Sequence, residues 1–453
     1  MFSIFHADYW PFVILLSSIG LVTLLISKWR FHPFIALVLA AVYVGLLSPD
    51  LIAEGGLVAA LESPMQALGT MAGNIAWVIA LAAIIGSAMM ESGAAANIVN
   101  QLLKTMGEKR AALALMLAGF ILSVPVFLDT VFFLLIPLGI TLALKTGKDY
   151  VLYVTAIGGG AAITHSIVPP TPGPLIMAET MGIDMGIVIL AGLALGILPA
   201  ILVIWVGKKM NRRLNIPVRI SANSSPKVAK ELSLSLSLAP IILPIILIGT
   251  ASLYEAITGQ LPEWLALTGN KNTAMAAGTG LALYLWARSQ NLGAHELWSN
   301  IGKPLEIGGL IILITSAGGA YGAMIGQSGI GDAIKQATAG LDLHLVPLAW
   351  LIAAVLKTAQ GSGTVAMISS AAIITALLGN NFDLPYHPVY LLMAMGFGSL
   401  FVSWMNDSAF WVVARMSGLT EKEALKTWTF LLAIISLAGM LQVWLLTWII
   451  PLV

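Results

Sequence analysis

Cysteine is absent from the 453-residue chain, which excludes disulfide bonds, thiolate catalysis and cysteine metal sites. Charge is also scarce, because only 9% of the residues are charged, against roughly 25% in soluble domains. The net charge of +1 gives no bulk attraction for nucleic acid. Apolar surface is abundant, with 58% hydrophobic residues. Since the lipid bilayer is the solvent that tolerates such a surface, the composition predicts a polytopic membrane protein.

The long apolar runs have the length of helices. The run Gly186–Gly207 reaches the roughly 20 residues that a spanning helix needs. Strands of a membrane barrel would be about 10 residues long with alternating polarity, and the sequence shows no such alternation. We therefore expect an all-α membrane protein.

Basic residues cluster near the middle of the chain. Seven of the 22 Lys and Arg residues fall between Lys208 and Lys230, and the positive-inside rule puts such a segment in the cytoplasm. It divides the chain into an N-terminal membrane half (1–207), a basic linker (208–232) and a C-terminal membrane half (233–453). Counting spans outward from the linker predicts that both termini lie outside, which is the periplasm for a bacterial inner (plasma) membrane.

Each half contains a pair of apolar arms that are short for a span. In the first half, Ala111–Val124 and Thr130–Ala143 flank a break at Pro125–Asp129. Each arm has 14 residues, or about 21 Å of helix, and the hydrocarbon core is roughly 30 Å thick. The second half repeats the arrangement as Val346–Lys357, Thr358–Thr364 and Val365–Leu378. Both pairs are predicted to be re-entrant hairpins, whose tips must be shielded from lipid.

Each half also contains a span that is interrupted in its middle. The first span, Tyr150–Met181, is broken at Thr164–Pro174, and the second, Pro388–Met416, is broken at Ser403–Asp407. The count of spans gives the two halves opposite orientations. Inverted repeats with discontinuous helices that meet at the midplane are typical of secondary transporters.

The first interruption reads "ITHSIVPPTPGPL" from Ile163 to Leu175. Proline ends a helix because its ring clashes with an earlier carbonyl and its N–H is missing. The half-helix that begins after the break would present unpaired N–H groups and partial positive charge, which suit a carboxylate. Thr164 and His165 add hydrogen-bonding side chains. The alternative is a kinked span that binds no ligand.

Carboxylates at two of the breaks are candidates for substrate or proton handling. Asp129 ends the first hairpin tip, and a charge at membrane depth costs about 2.5–3.5 kcal/mol on insertion scales. Protonation would relieve that cost, so Asp129 is a candidate proton carrier. The alternative for Asp129 is helix capping, which aspartate does well. Asn406 and Asp407 form an unusual polar pair in the second interruption.

The second hairpin tip carries hydroxyl groups. Ser362 and Thr364 lie in "QGSGT", where glycines let a ligand approach the backbone and the hydroxyls can bind a polyol. Capping is again the alternative role. Lys357 precedes this tip, and a buried lysine suggests an anionic partner. It could equally extend to the membrane surface or pair with a carboxylate.

Four segments together resemble the gluconate permease family, the gluconate:proton symporters of the ion-transporter superfamily. They read "VPVFLDTVFFLLIPL", "THSIVPPTPGP", "QGSGTVAM" and "WMNDSAFW". The resemblance implies uptake of gluconate or related sugar acids, proton symport, a mobile transport domain that moves against a scaffold in an elevator-like way, and a homodimer. Leu128, Thr171 and Gly363 differ from the family pattern, so a sugar acid or small hydroxycarboxylate is expected rather than gluconate alone.

The predicted site combines these segments. The candidate substrate-binding residues are Asp129, Thr130, Thr164, His165, Thr171, Gly173, Gly361, Ser362, Gly363, Thr364, Asn406 and Asp407. The candidate proton carriers are Asp129, Asp407 and His165. No metal-ligand spacing and no Walker-type sequence occurs, so neither a metal nor another cofactor is expected.

The sequence therefore predicts a proton-coupled symporter for a small organic anion. A sodium-coupled organic anion carrier is one alternative, and an ion channel or exchanger without an organic substrate is another. An intramembrane enzyme would need a nucleophile and a base, and Ser362 with His165 is the only conceivable pair. Nothing in the sequence brings those two residues together, so no enzymatic activity is expected.

Overall fold

The computed structural model describes residues 9–214, 216–219, 232–330, 333, 344–378 and 384–452. These residues form helices and no strands. Within them, seven helical stretches are long and apolar enough to cross a membrane. Large apolar side chains such as Leu16, Ile201 and Trp448 are exposed on the outside of the molecule. The all-helical membrane architecture predicted from composition is confirmed.

The structure describes the following helices. In chain order they are α1 Trp10–Thr23, α2 Pro33–Leu47, α3 Pro49–Glu91, α4 Ala94–Met106, α5 Ala111–Leu122, α6 Leu128–Thr146, α7 Tyr150–Ile167, α8 Pro172–Met181, α9 Met185–Leu195, α10 Ile197–Arg213, α11 Leu234–Thr258, α12 Glu263–Gly269, α13 Lys271–Gln290, α14 Ala294–Asn300, α15 Gly302–Gly326, α16 Leu345–Gln360, α17 Gly363–Leu378, α18 Val389–Gly398, α19 Ser408–Met416, α20 Glu421–Ala424 and α21 Phe430–Ile449. π-helical turns at Leu24–Lys28 and Leu425–Thr429 follow α1 and precede α21.

One predicted boundary is wrong. The sequence pattern predicts an outer, partly amphipathic segment at Pro49–Met71 and a separate span at Asn74–Met90. In the structure α3 is kinked at Gly56 (φ 72°) and then continues without a break through this boundary to Glu91. A glycine such as Gly73 costs only about 1 kcal/mol in a helix interior. Packing of α3 against α13 and α15 therefore carries the helix through this region.

Both predicted pairs of arms form two helices joined by a tip. Three of the four arms are longer than expected, whereas α5 is shorter, with 12 residues. The first hairpin consists of α5 and α6, and α6 has 19 residues because the helix continues past its apolar part to Gly147, whose left-handed backbone (φ 67°) ends it. The second hairpin consists of α16 and α17, with 16 residues in each arm. Its tip is only two residues long, Gly361 and Ser362.

The interrupted spans break close to the predicted places. The first break covers residues 168–171, and α8 begins at Pro172, where the missing N–H of proline is harmless. Thr164 and His165 are still helical, in the last turn of α7. The second break runs from Ser399 to Asp407 and so starts four residues before the predicted one. No proline marks this break, which is why its start is hard to read from the sequence.

Helix α7 lies in the centre of the molecule. Nearly all residues of Tyr150–Met181 are buried, and α7 packs against α5, α6 and α10. Gly160 makes the contact with α5 close, since a Cβ added there would lie 2.3 Å from the carbonyl oxygen of Met116. The glycine run Gly158–Gly160 thus lets helices approach, as small residues do in membrane interfaces.

The basic linker begins on a helix. Helix α10 continues to Arg213, so the first six positions of the predicted linker 208–232 are helical. Most of the remaining linker, residues 215 and 220–231, lies outside the described residues.

Candidate functional site

A cavity of about 230 Å³ lies where both hairpin tips meet both interrupted spans. The first tip contributes Asp129, the second contributes Ser362 and Thr364, and the interrupted spans contribute His165 and Asp407. The other residues that line the cavity are Phe127, Leu128, Ala162, Ser166, Lys357, Gly363, Met367, Ser399, Leu400, Ser408, Ala409, Trp428 and Leu432. Segments separated by more than 250 residues therefore share one small polar space.

Three helix N-termini point at this cavity. Helices α6, α17 and α19 begin at Leu128, Gly363 and Ser408, and each of these residues lines it. An N-terminus carries partial positive charge and unpaired N–H groups. Three of them around one space make a strong site for an anion, as at other helix termini.

Lys357 and Asp407 form a buried ion pair at the cavity wall. The Lys357 Nζ lies 2.5 Å from Asp407 Oδ2, and the two side chains are 5% and 7% exposed. The same ammonium group donates to the carbonyl oxygen of Gly361 at 2.9 Å. A carboxylate therefore neutralises the charge of Lys357. Pairing with a carboxylate is one of the alternatives that the sequence analysis gives for this lysine.

Asp407 is held by further hydrogen bonds. Its Oδ1 accepts from the backbone N–H of Ala409 at 3.0 Å, which makes it the N-cap of α19. Its Oδ2 accepts from the hydroxyl of Ser403. That hydroxyl in turn accepts from Trp428 Nε1 at 2.8 Å. The Asp407 carboxylate is therefore held in place by three donors: the Lys357 ammonium group, the Ser403 hydroxyl and the Ala409 N–H.

Asp129 has a different environment. It lies in the first turn of α6, whose N-cap position is Phe127, and no side chain caps this helix. The capping role considered for Asp129 is therefore absent. Among the described residues, its carboxylate has no hydrogen-bond or ion-pair partner, and it faces the cavity. It is a carboxylate available to a proton or a ligand.

His165 contributes an imidazole ring to the cavity wall. Its ring meets Phe127 edge to face, with centroids 6.4 Å apart. Its Nδ1 is buried and has no hydrogen-bond partner within the described part of the chain. A buried polar atom without a partner is costly, so this nitrogen is open to a ligand or water.

The tip of the second hairpin is fixed by Asn406. Its Nδ2 donates to the carbonyl oxygens of Thr358 at 2.9 Å and Ala359 at 3.3 Å. Gly361 adopts φ 80°, and a Cβ there would lie 2.1 Å from the carbonyl oxygen of Asn406. Ser362 accepts from the N–H of Val365 at 3.3 Å, so it caps α17 as well as lining the cavity. Asn406 and Gly361 thus shape the tip without lining the cavity.

Four other candidates also lie outside the cavity lining. The hydroxyl of Thr164 donates to Gly160 O at 3.5 Å, and that of Thr171 donates to Val168 O at 2.6 Å. Gly173 packs on Met367, whose terminal carbon would be 2.1 Å from an added Cβ. Thr130, next to Asp129, is the fourth. The last turns of α7 present Ala162, His165 and Ser166 to the cavity, and the helical period turns Thr164 away.

Several lining residues escaped the sequence reasoning. Trp428 is buried in an apolar span, where nothing local separates it from a core tryptophan. Ser399 lies in the part of the second break that was predicted to be helical. Met367 and Ser166 are ordinary residues of apolar helices. Their common signal is proximity to a tip or a break, which only the folded chain reveals.

The assembled groups suit an anion that also carries hydroxyls. Three helix N-termini can hold a carboxylate, while Ser362 and Thr364 supply hydroxyl groups. The hydroxyl of Ser399 donates to the carbonyl oxygen of Gly396 at 2.7 Å and is left to act as an acceptor. In the described ranges, no cluster of three or more His, Asp or Glu side chains could hold a metal ion. Ser362 and His165 do line one cavity, but the structure records no hydrogen bond between them among the described residues.

Comparisons with known proteins agree in class. A sequence model described as GntP family permease matches residues 10–449. The gluconate permease of Pseudomonas aeruginosa is 30% identical over 99% of both chains. The D-serine transporter DsdX of Escherichia coli K12 is 31% identical over 96% of this chain and 98% of its own. The solved Alcanivorax borkumensis YdaH transporter superposes with a TM-score of 0.66 at 16% identity, over 95% of this chain and 99% of its own, which is a likeness of fold.

Proposed function

The chain belongs to the GntP family of permeases and is a multi-pass membrane transporter rather than an enzyme, and we propose that it carries a sugar acid or small hydroxycarboxylate together with protons. The membrane is a bacterial inner membrane. The single observation that carries the proposal is the convergence of three helix N-termini and several hydroxyls on one cavity.

The substrate class follows from chemistry shared by two relatives. Gluconate and D-serine each have a carboxylate and at least one hydroxyl group, and relatives named for them are about equally similar to this chain. In this chain, the N-termini of α6, α17 and α19 bind the carboxylate. Ser362 and Thr364 bind hydroxyls. Leu128 and Gly363 differ from the family pattern and line the cavity. These two residues tune which acid is accepted.

In this proposal, Asp129 carries the coupled proton. Among the three candidates, Asp407 is committed to Lys357, whereas Asp129 faces the cavity without a partner among the described residues. A protonated Asp129 lets the anion bind without two negative charges side by side. Release of the proton on the inner side then repels the substrate. His165 lines the same cavity and donates to or accepts from the substrate through its ring.

Alternating access requires two parts of the fold that move relative to each other. The hairpins and interrupted spans form the moving part that encloses the substrate, and α3, α11, α13 and α15 form the scaffold, which is held together by mutual packing. Movement of one against the other exposes the cavity to each side in turn, in an elevator-like manner. Termini on the periplasmic side and assembly as a homodimer belong to the same proposal.

Uptake into proteoliposomes tests the proposal. Wild type is expected to accumulate labelled gluconate or D-glycerate when the outside is acidic. Asp129→Asn is expected to abolish this accumulation while keeping substrate exchange at equal pH, because the cavity still binds the anion. Asp129→Glu is the matched control, which keeps a carboxyl group and retains part of the coupled uptake.

Other outcomes distinguish the alternatives. Accumulation that needs sodium and ignores pH would establish a sodium-coupled carrier instead. Current or pH change without any organic solute would establish a channel or ion exchanger. Full pH-driven uptake by Asp129→Asn would remove Asp129 from the coupling step.

A further inference from the structure

An apolar groove lies on the outside of the molecule, and no residue lines both this groove and the substrate cavity. Residues 425–434 contribute to both, with Phe430 lining the groove and Trp428 lining the cavity. Its volume is about 510 Å³, and its walls come from α10 and from the turn and helix α21 at the other end of the chain. Trp205 and Phe430 line it and are 59% and 53% exposed. In a membrane protein such a surface is covered by lipid chains.

One end of the groove is strongly basic. Lys209, Arg213 and Lys426 line it, and no acidic residue does. The nearby carboxylate of Glu423 is already bound by Arg219, with two hydrogen bonds of 2.6 and 2.8 Å. Within the described residues, none of the three basic side chains has an ion-pair partner. The charge is therefore free for an anion.

The depth of this basic end is marked by Trp205. Lys209 Nζ lies 5.1 Å from the centre of the Trp205 ring, a cation–π contact. Tryptophan is enriched at the level of lipid headgroups. The three cations thus stand at headgroup level, with the apolar groove below them. A basic end on an apolar groove has the same two-part chemistry as a phospholipid.

The apolar surface continues on the other flank of α10. A second groove of about 430 Å³ shares Trp205 with the first and is walled by α5 and α10. Lys208 lies at its edge. The two grooves therefore offer room for two acyl chains on either side of one helix, below four basic side chains.

The geometry points to a binding site for an anionic phospholipid, with its phosphate among Lys209, Arg213 and Lys426 and its acyl chains along the grooves beside α10. The site shares no lining residue with the substrate cavity. It requires neither the proposed substrate nor the coupled ion. Basic pockets between membrane helices are known to bind acidic lipid headgroups.

Native mass spectrometry of the detergent-purified full chain tests this site. Cardiolipin, phosphatidylglycerol and phosphatidylcholine are added separately, and the retained adducts are titrated. The two anionic lipids are expected to bind, and phosphatidylcholine is expected to bind weakly. Each basic residue is worth about fivefold in affinity for an anionic lipid surface. The triple variant Lys209→Ala, Arg213→Ala, Lys426→Ala should therefore bind anionic lipid on the order of 100-fold more weakly.

A matched control removes the same charge elsewhere. Lys104, Lys109 and Arg110 are exposed and do not line either groove, so their triple alanine variant is expected to keep wild-type binding. Gel-filtration profiles and lipid-free melting temperatures of both variants verify the fold. Equal loss in the two variants, or equal binding of all three lipids, would overturn the proposal. Stabilisation by inorganic phosphate equal to that by lipid would assign the basic end to a free anion and overturn it as well.

Discussion

At the scale of single residues, the cavity holds two aspartates with different surroundings. Asp407 accepts hydrogen bonds from Lys357, Ser403 and the N–H of Ala409. Asp129 has none of these contacts among the described residues and faces the open space. Two side chains of one type thus have different roles open to them, because the contacts of Asp407 are already made and Asp129 is available to the cavity.

The Lys357–Asp407 pair gives a prediction about stability. Lys357→Met leaves a buried carboxylate without its partner and is expected to cost about 3–5 kcal/mol. Adding Asp407→Asn should recover much of that loss, because asparagine still caps a helix and carries no charge. Thermal unfolding of the purified variants measures both effects.

Lys145→Met provides the control for this pair. Lys145 contacts Glu108, and both side chains are mostly exposed, at 66% and 59%, so solvent screens the lost pair. The melting temperature of this variant is expected to stay close to that of the wild type. If the double variant at Lys357 and Asp407 were as unstable as the sum of its singles, the two residues would not be coupled.

At the scale of elements, the position of α7 depends on its glycines. Helices in lipid gain little from hydrophobic burial against each other, so close packing and small residues hold them together. Gly160 lets α7 approach the backbone of α5. The last turns of α7 then deliver His165 to the cavity.

Substitution of Gly160 tests this contact. Gly160→Ala would put a methyl group 2.3 Å from the carbonyl oxygen of Met116, and overpacking of this kind typically costs about 1–3 kcal/mol. A lower melting temperature and weaker substrate binding are expected together. Gly280→Ala is the matched control, because Gly280 is also helical and nothing lies within 4 Å of an added Cβ. A melting temperature of Gly160→Ala no lower than that of Gly280→Ala would contradict the packing role.

At the scale of the whole molecule, an ion pair joins the two parts that are proposed to move. Glu179 lies on α8, in the first interrupted span, and its carboxylate contacts the ammonium group of Lys271 at the start of α13. Helix α13 belongs to the proposed scaffold. Movement of α8 must separate these side chains.

Cross-linking tests that movement, and the natural absence of cysteine makes the background clean. The variant Glu179→Cys, Lys271→Cys, joined by a short bis-methanethiosulfonate reagent that forms a disulfide with each cysteine and releases sulfinate, is expected to lose uptake and to regain it on reduction. The control joins Glu108→Cys to Lys145→Cys, another ion pair, which connects the turn Glu108–Arg110 directly before α5 to the end of α6 and should move as one piece with the first hairpin. Unimpaired uptake by the cross-linked test variant would exclude displacement of α8 relative to α13.

Local sequence patterns are sufficient to predict the class of the protein and its main elements. Apolar runs of a given length, prolines at the first break and short arms around Asp129 are local properties, and helix formation in lipid depends mainly on them. Confirmed on this basis are the all-helical fold, the breaks between the arms of both helix pairs, both interruptions and the family. Re-entry of the arms into the membrane stays a prediction. The continuity of α3 was missed because one glycine is too weak a signal against tertiary packing.

Which side chains contact one another across the molecule depends on the tertiary structure. No local pattern in the sequence predicts that Lys357 pairs with Asp407 or that Trp428 donates to Ser403. Nor does one predict that His165 lines the cavity while Thr164 does not. These relations depend on distances between residues far apart in sequence and on the rotation of each helix about its axis. A local pattern specifies neither, because both are set by how the helices pack together.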